Sequence, residues 1–86
     1  NRFNWSPFEV MVYIEQAIDL DPENARWYWN KALVLTRLYK DLNAEPFLEQ
    51  ALVTIEKAIE TCREDQTSLR NGIDSTLENL KEYLFN

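Results

Sequence analysis

The chain has a single glycine and three prolines among its 86 residues. The hairpins of a many-stranded sheet turn on Gly or Asn at positive φ, so this scarcity disfavours a β-rich fold. Helices joined by short loops suit it better. Histidine is absent and Cys62 is the one cysteine. An intramolecular disulfide is therefore excluded, and an intracellular, cytoplasmic location is expected. Zinc-ligand spacing and a phosphate-binding loop are both missing. Basic residues number nine against fifteen acidic ones, a net charge of −6. A dedicated nucleic-acid binder needs the opposite balance to displace counterions from phosphates. No apolar run approaches the roughly 20 residues of a membrane span, and no basic-then-apolar leader opens the chain. The first residue is Asn1 rather than Met, as expected of a piece of a longer polypeptide.

What is abundant is apolar side chain, 45% of the residues, enough for one modest core in one domain. Its spacing is helical. Ser6-Pro7-Phe8-Glu9 forms a capping box, with Ser6 as N-cap, Pro7 in the first turn and Glu9 reaching back. Trp5 and Val10 are placed to form a hydrophobic staple around it. Val10, Ile14, Ala17 and Ile18 then recur at helical intervals until Pro22 ends the run near Asp21. A second helix starts from Asn24 as N-cap and reaches Tyr39 or Lys40, and Asp41-Leu42-Asn43 reads as a loop. A third starts between Asn43 and Pro46 and ends between Thr61 and Arg63. A fourth amphipathic segment covers Ser68–Phe85, with Leu69, Ile73, Thr76, Leu77, Leu80 and Leu84 on one face. The third and fourth share one helical phase, so a single helix of nearly forty residues is an alternative. Two helices are preferred because residues 63–68 contain no apolar member.

An internal repeat organises these elements. Ile14-Glu15-Gln16-Ala17-Ile18-Asp19 recurs as Ile55-Glu56-Lys57-Ala58-Ile59-Glu60, 41 residues later. Val10 before the first copy is matched by Ala51 before the second. These residues should meet Tyr28, Ala32 and Leu35 in one core. In this pattern, and in the stretch from Ala17 through Pro22 to Asn24, the chain resembles the tetratricopeptide repeat family from Val10 to Thr61. That family pairs two antiparallel helices per unit of about 34 residues. Lys31 departs from the family's usual Leu, and no second closing Pro lies near residue 63. The repeat here exceeds the usual length by about two helical turns. Lengthened hairpins of this kind look similar to those of interferon-induced tetratricopeptide proteins. The resemblance implies an all-α antiparallel hairpin array of about four helices. Residues 1–22 are then the second helix of a first repeat, 24–63 a full lengthened hairpin, and 66–85 a capping helix.

The second helix divides at about 100° per residue into two faces. Trp27, Tyr28, Ala32, Val34, Leu35, Leu38 and Tyr39 form the core side. Arg26, Trp29, Asn30, Leu33, Thr36, Arg37 and Lys40 form the other, which the resemblance places toward a ligand groove. Residues 25–45 sum to +2, and every other stretch of the chain is negative. Arg26, Trp29, Asn30, Leu33, Arg37 and Lys40 are therefore the candidate partner-binding residues. Arg takes a carboxylate in bidentate fashion, and Trp is a favoured anchor at interfaces. They suit an extended acidic or aromatic-bearing peptide of another protein, or a neighbouring segment of the same one.

Lys31, in the middle of the core side, is expected to lay its stem on apolar neighbours and carry its charge to water. Cys62 continues an apolar stripe and lacks a base to activate it, so it reads as a core thiol. Asp19, Asp21 and Glu23 resemble the start of a calcium loop. Pro22 interrupts that loop, Asn24 stands where Gly is needed, and Asn30 replaces the bidentate Glu. Asn4-Trp5-Ser6 is formally a glycosylation sequon, but Ser6 is better used as a cap. No acid–base pair stands out. The expectation is a non-catalytic protein-binding module without cofactor, metal or membrane. The rivals are single-stranded RNA binding, with bases stacked on Trp29 and phosphates on Arg26 and Arg37, and a purely structural segment of a larger solenoid. Self-association is expected through apolar surface around Phe3, Trp5, Phe8 and Met11.

Overall fold

A computed structural model describes residues 6–85, and they form four helices with no strand among them. The helices are α1 (Pro7–Leu20), α2 (Ala25–Leu42), α3 (Glu45–Thr61) and α4 (Thr67–Leu84). The all-α reading of the sequence holds. The proposed Trp5 staple, the sequon's Asn4 and the Phe3 and Trp5 surface lie outside the described residues.

The starts of α1 and α2 have local causes. At α1 the Ser6 hydroxyl accepts from the Phe8 and Glu9 amides at 3.1 and 3.3 Å, and Glu9 Oε1 accepts from the Ser6 amide at 3.2 Å. The capping box is thus complete, and the first-turn donors that a helix leaves unpaired are served. Asn24 caps α2 by accepting the Arg26 amide at 3.0 Å. Its side-chain amide donates to Asp21, and the Tyr28 hydroxyl donates to the Pro22 carbonyl, so the α1–α2 turn is tied at both ends.

The loop expected at Asp41–Asn43 is shorter than the sequence suggested, because α2 continues through Leu42. Arg37 and Asp41 pair one turn apart at 3.0 Å and support that extension. Asn43 then stops it at φ 50, the left-handed conformation that Asn tolerates at a helix end. Between α3 and α4 the chain breaks at Cys62, which is extended, and the Gln66 side chain accepts the Arg63 amide. Two helices result instead of one long one.

Three named contacts orient the helices. Lys31 on α2 pairs with Glu15 on α1 at 3.0 Å, Lys57 on α3 sits 6.0 Å from the Tyr28 ring centroid on α2, and Phe8 meets Phe47 edge-on. Successive helices run antiparallel, and α1 and α3 run in the same direction. The most extensive interface is α2 on α3. Helix α1 lies against α2, and α4 against α3 and, more lightly, α2. Ala32, Ala51, Ile55, Ala58, Ile73 and Leu80 are completely enclosed. Alanines at 32, 51 and 58 let the α2 and α3 backbones approach closely, and Ile55, Ile73 and Leu80 fill the space between layers.

The expected core set is correct for Ile14, Ala32, Leu35, Ala51, Ile55 and Ala58, which are buried. Val10, Ala17 and Tyr28 are only half-buried. For Val10 and Ala17 the reason is that α1 is covered by one helix where α3 is covered by two. Leu84, expected on the α4 core face, stands 53% exposed at the helix end. Lys31 is a quarter exposed, its stem inward and its ammonium on Glu15. Cys62 is half-buried beside the core.

Candidate functional site

Helix α2 is touched from three directions, and the remaining direction is open. Toward α1 it presents Lys31 and Val34, toward α3 Tyr28, and toward α4 Trp29 and Thr36. The uncovered arc holds Arg26, Leu33, Arg37 and Lys40, all exposed, with Asn30 half-buried at its edge. Five of the six residues singled out in the sequence therefore share one accessible strip. Trp29 does not.

Of the two partners expected for Trp29, a ligand or a neighbouring segment, the indole meets a neighbouring segment, α4. The indole N–H donates to Thr76 Oγ1 at 2.9 Å, and the Thr76 hydroxyl donates onward to the Gly72 carbonyl at 3.0 Å. The six-membered part of the ring packs against Gly72, where a Cβ would lie only 2.6 Å from Cη2 and 2.7 Å from Cζ2. Gly72 is the chain's single glycine and sits inside a helix, where Gly costs about 1 kcal/mol relative to Ala. The missing side chain is what lets the indole and α4 approach. Trp29 thus fixes the position of α4 instead of offering a stacking surface to solvent. That interior glycine was the sequence signal for a close approach.

Further along the same interface, Tyr39 and Tyr83 meet edge-on with centroids 5.4 Å apart, and Lys40 Nζ lies 5.9 Å from the Tyr83 ring centroid. Because Trp29 precedes Tyr39 as Thr76 precedes Tyr83, α2 and α4 run parallel. Two shallow clefts flank the open strip, and Leu33 lines both. The first, about 250 Å³, lies against α1 between Pro7, Val10, Val34 and Arg37. The second, about 240 Å³, lies against α4 and is lined by Thr36, Lys40, Thr76, Asn79, Glu82 and Tyr83. Both are smaller than the roughly 300–1,000 Å³ of a typical small-molecule pocket. A surface of this shape accommodates side chains of a macromolecule.

Electrostatically the strip differs from its surroundings. Helix α2 carries Arg26, Lys31, Arg37 and Lys40 against the single carboxylate Asp41. Arg37 is already paired with Asp41, but the pair is exposed, and such one-turn pairs are worth only about 0.3–0.5 kcal/mol. An incoming carboxylate can therefore take the guanidinium at little cost. Arg26 has no ion pair among the described residues. Among those residues no group of three or more His, Cys, Asp or Glu side chains could hold a metal ion. No helix among the described residues is long and apolar enough to cross a membrane. No family model matches the chain, and neither a curated protein nor a solved structure is similar enough to count as a match.

Proposed function

We propose that this chain is a non-catalytic protein-binding module of the tetratricopeptide kind, and that its α2 strip receives an acidic segment of a partner protein. The observation that carries this reading is the uncovered arc of α2. It places Leu33 between two clefts and sets Arg26, Arg37 and Lys40 beside it on a protein that is otherwise acidic. Leu33, 43% exposed, supplies the apolar contact, and the cations orient the ligand's carboxylates. The parallel placement of α2 and α4, with α3 packed between them in sequence, supports the repeat-array reading.

The internal use of Trp29 favours, for that one residue, the structural role that the sequence left as a rival. It also weakens the RNA alternative, whose base-stacking surface was to be that indole. The test is titration of a fluorescent acidic peptide bearing one aromatic residue against the chain and its variants. Leu33→Ala and Arg37→Glu should each weaken binding, and Lys81→Ala on α4 should leave it unchanged. Equal affinity across all three would remove the α2 assignment. A single-stranded oligonucleotide that binds more tightly than the peptide, with affinity falling steeply with salt, would favour the RNA reading.

A further inference from the structure

The solvent-facing sides of α2 and α3 carry matching patterns of opposite charge. The open strip of α2 runs Arg26, Asn30, Leu33, Arg37 and Lys40. On α3 the exposed residues Glu45, Glu49, Val53, Glu56 and Glu60 follow one another at intervals of three and four, so they too form one stripe. Each pattern has a single aliphatic side chain at its middle, Leu33 at 43% and Val53 at 67% exposure. Counted from Leu33, its neighbours on the strip stand seven and three residues before it and four and seven after it. Counted backwards from Val53, the carboxylates stand at seven, three, four and eight. Both helices rise 1.5 Å per residue. Antiparallel, with Leu33 on Val53, they bring Arg26 opposite Glu60, Asn30 opposite Glu56 and Arg37 opposite Glu49. Lys40 then falls within about one residue's rise of Glu45.

The four carboxylates are available for this. None has an ion pair among the described residues, and Lys57, the cation of α3, leans on the Tyr28 ring. Glu49 and Val53 also border a cleft of about 470 Å³, shared with Pro46 and Thr54, into which an aliphatic side chain can enter. On the receiving side, the α1 residues beside the strip are Pro7 and Val10. Glu15 is turned to Lys31, Asp19 lies one turn along the same side, and Glu9 accepts from Ser6. Glu82 does line the α4 cleft beside Lys40, which leaves Arg26 and Arg37 as the stronger anchors. Arg37 exchanges its exposed partner Asp41 at little cost.

We infer that the acidic segment received by the α2 strip is α3 of a second copy of this chain, docked antiparallel with Val53 on Leu33. This rests on the strip being a binding surface for an acidic segment, and it names that segment. The strip lies opposite Tyr28, Ala32 and Leu35 on α2, and the stripe lies opposite Ala51, Ile55 and Ala58 on α3, so the two face away from each other across the core. The contact is therefore heterologous. Each copy offers its stripe to one neighbour and its strip to another, and association runs head to tail.

The experiment is analytical ultracentrifugation of the 86-residue chain up to millimolar concentration, since one helix on one strip makes a small, transient interface. Salt is kept near 0.15 M, where the Debye length of about 8 Å screens the net charge of the chain but not pairs in contact. Species larger than a dimer should grow with concentration. Leu33→Asp and Val53→Asp, both at exposed positions, should each weaken association about tenfold or more. An equimolar mixture of these two variants should form a 1:1 pair and stop there, because one intact strip meets one intact stripe. Arg37→Glu and Glu49→Arg should each weaken association, and the double variant should restore it. A fluorescent acidic peptide is titrated against the unmutated chain in parallel.

A chain that stays monomeric yet binds the acidic peptide on α2 overturns the inference and leaves the strip reading standing. If it neither associates nor binds the peptide, both fall. Association that survives Val53→Asp, or a mixture of the two variants that stays monomeric, assigns the contact to another surface and overturns the inference.

Discussion

Replacing Gly72 with Ala tests the α2–α4 contact most directly, because two opposing effects of known size meet there. On an exposed helix face the change would stabilise by about 1 kcal/mol through helix propensity. Here the added methyl would sit 2.6 and 2.7 Å from two carbons of the Trp29 ring. Carbon atoms prefer about 3.5–4.0 Å, so ring or helix must retreat by roughly 1 Å. The indole is rigid and is held by its 2.9 Å bond to Thr76, so the retreat also strains or breaks that bond. Overpacking of this kind costs about 1–3 kcal/mol, and a lost hydrogen bond about 1 kcal/mol net. The balance is a destabilisation of about 1–3 kcal/mol. For a domain of this size each kcal/mol lowers the thermal midpoint by roughly 4–8 °C. The sign should reverse in a Trp29→Ala background, where the methyl meets no ring and propensity alone remains. Urea titration of the wild type, both single variants and the double variant gives the coupling energy. It should be about 2–4 kcal/mol, at the upper end of what residues in contact show. If Gly72→Ala stabilises the wild-type chain, or acts equally in both backgrounds, the indole does not occupy that position and the account of α4 fails.

Other expected outcomes follow from the same packing. Ser6→Ala should destabilise by about 0.5–2 kcal/mol in urea titration, because the Phe8 amide loses its acceptor and the Glu9 amide keeps only the Ser6 carbonyl. Ala32→Leu should cost about 1–3 kcal/mol, since Ala32 is fully enclosed where the helices cross; coincident denaturation midpoints would show the position to be free of close contact. Trp29→Phe removes both the donor to Thr76 and the distal ring carbons packed on Gly72, and should cost about 1–3 kcal/mol. Asp41→Asn should change stability by no more than about 0.5 kcal/mol while tightening binding of an acidic peptide, because it frees Arg37.

The helices could be read from the sequence because several of their starts are written in a few adjacent residues. Ser6 with Glu9, Asn24, and Pro46 in a first turn all act within one turn of the chain. The end of α2 was harder. Whether Asp41 and Leu42 continue a helix depends on Asn43 adopting a left-handed conformation, and no propensity dictates that choice at one residue. The placement of Arg26, Leu33, Arg37 and Lys40 on one strip followed from helical period alone. Trp29 did not, because a wheel shows which side of α2 it occupies and not which helix arrives there. That arrival depends on Gly72, 43 residues away, and only tertiary structure joins the two. Val10 and Ala17 were expected in the core for the opposite reason. Their repeat partners are buried by a helix that has no counterpart beside α1 among the described residues.

The unequal interfaces also rank the helices by how easily they leave. Helices α2 and α3 share the largest contact, while α1 and α4 are each attached at the outside of that pair. Cooperative opening should therefore begin at the two ends and reach the central hairpin last. In native-state hydrogen exchange, the amides of Ala32, Leu35, Ile55 and Ala58 should exchange only through global unfolding. Those of Ile14 should exchange through a smaller, cheaper opening in which α1 swings away alone. Such an opening exposes Val34 without unfolding the central pair, and it takes the α1–α2 cleft apart, since both helices line it. A ligand that bridges both helices would slow exchange in α1 more than anywhere else.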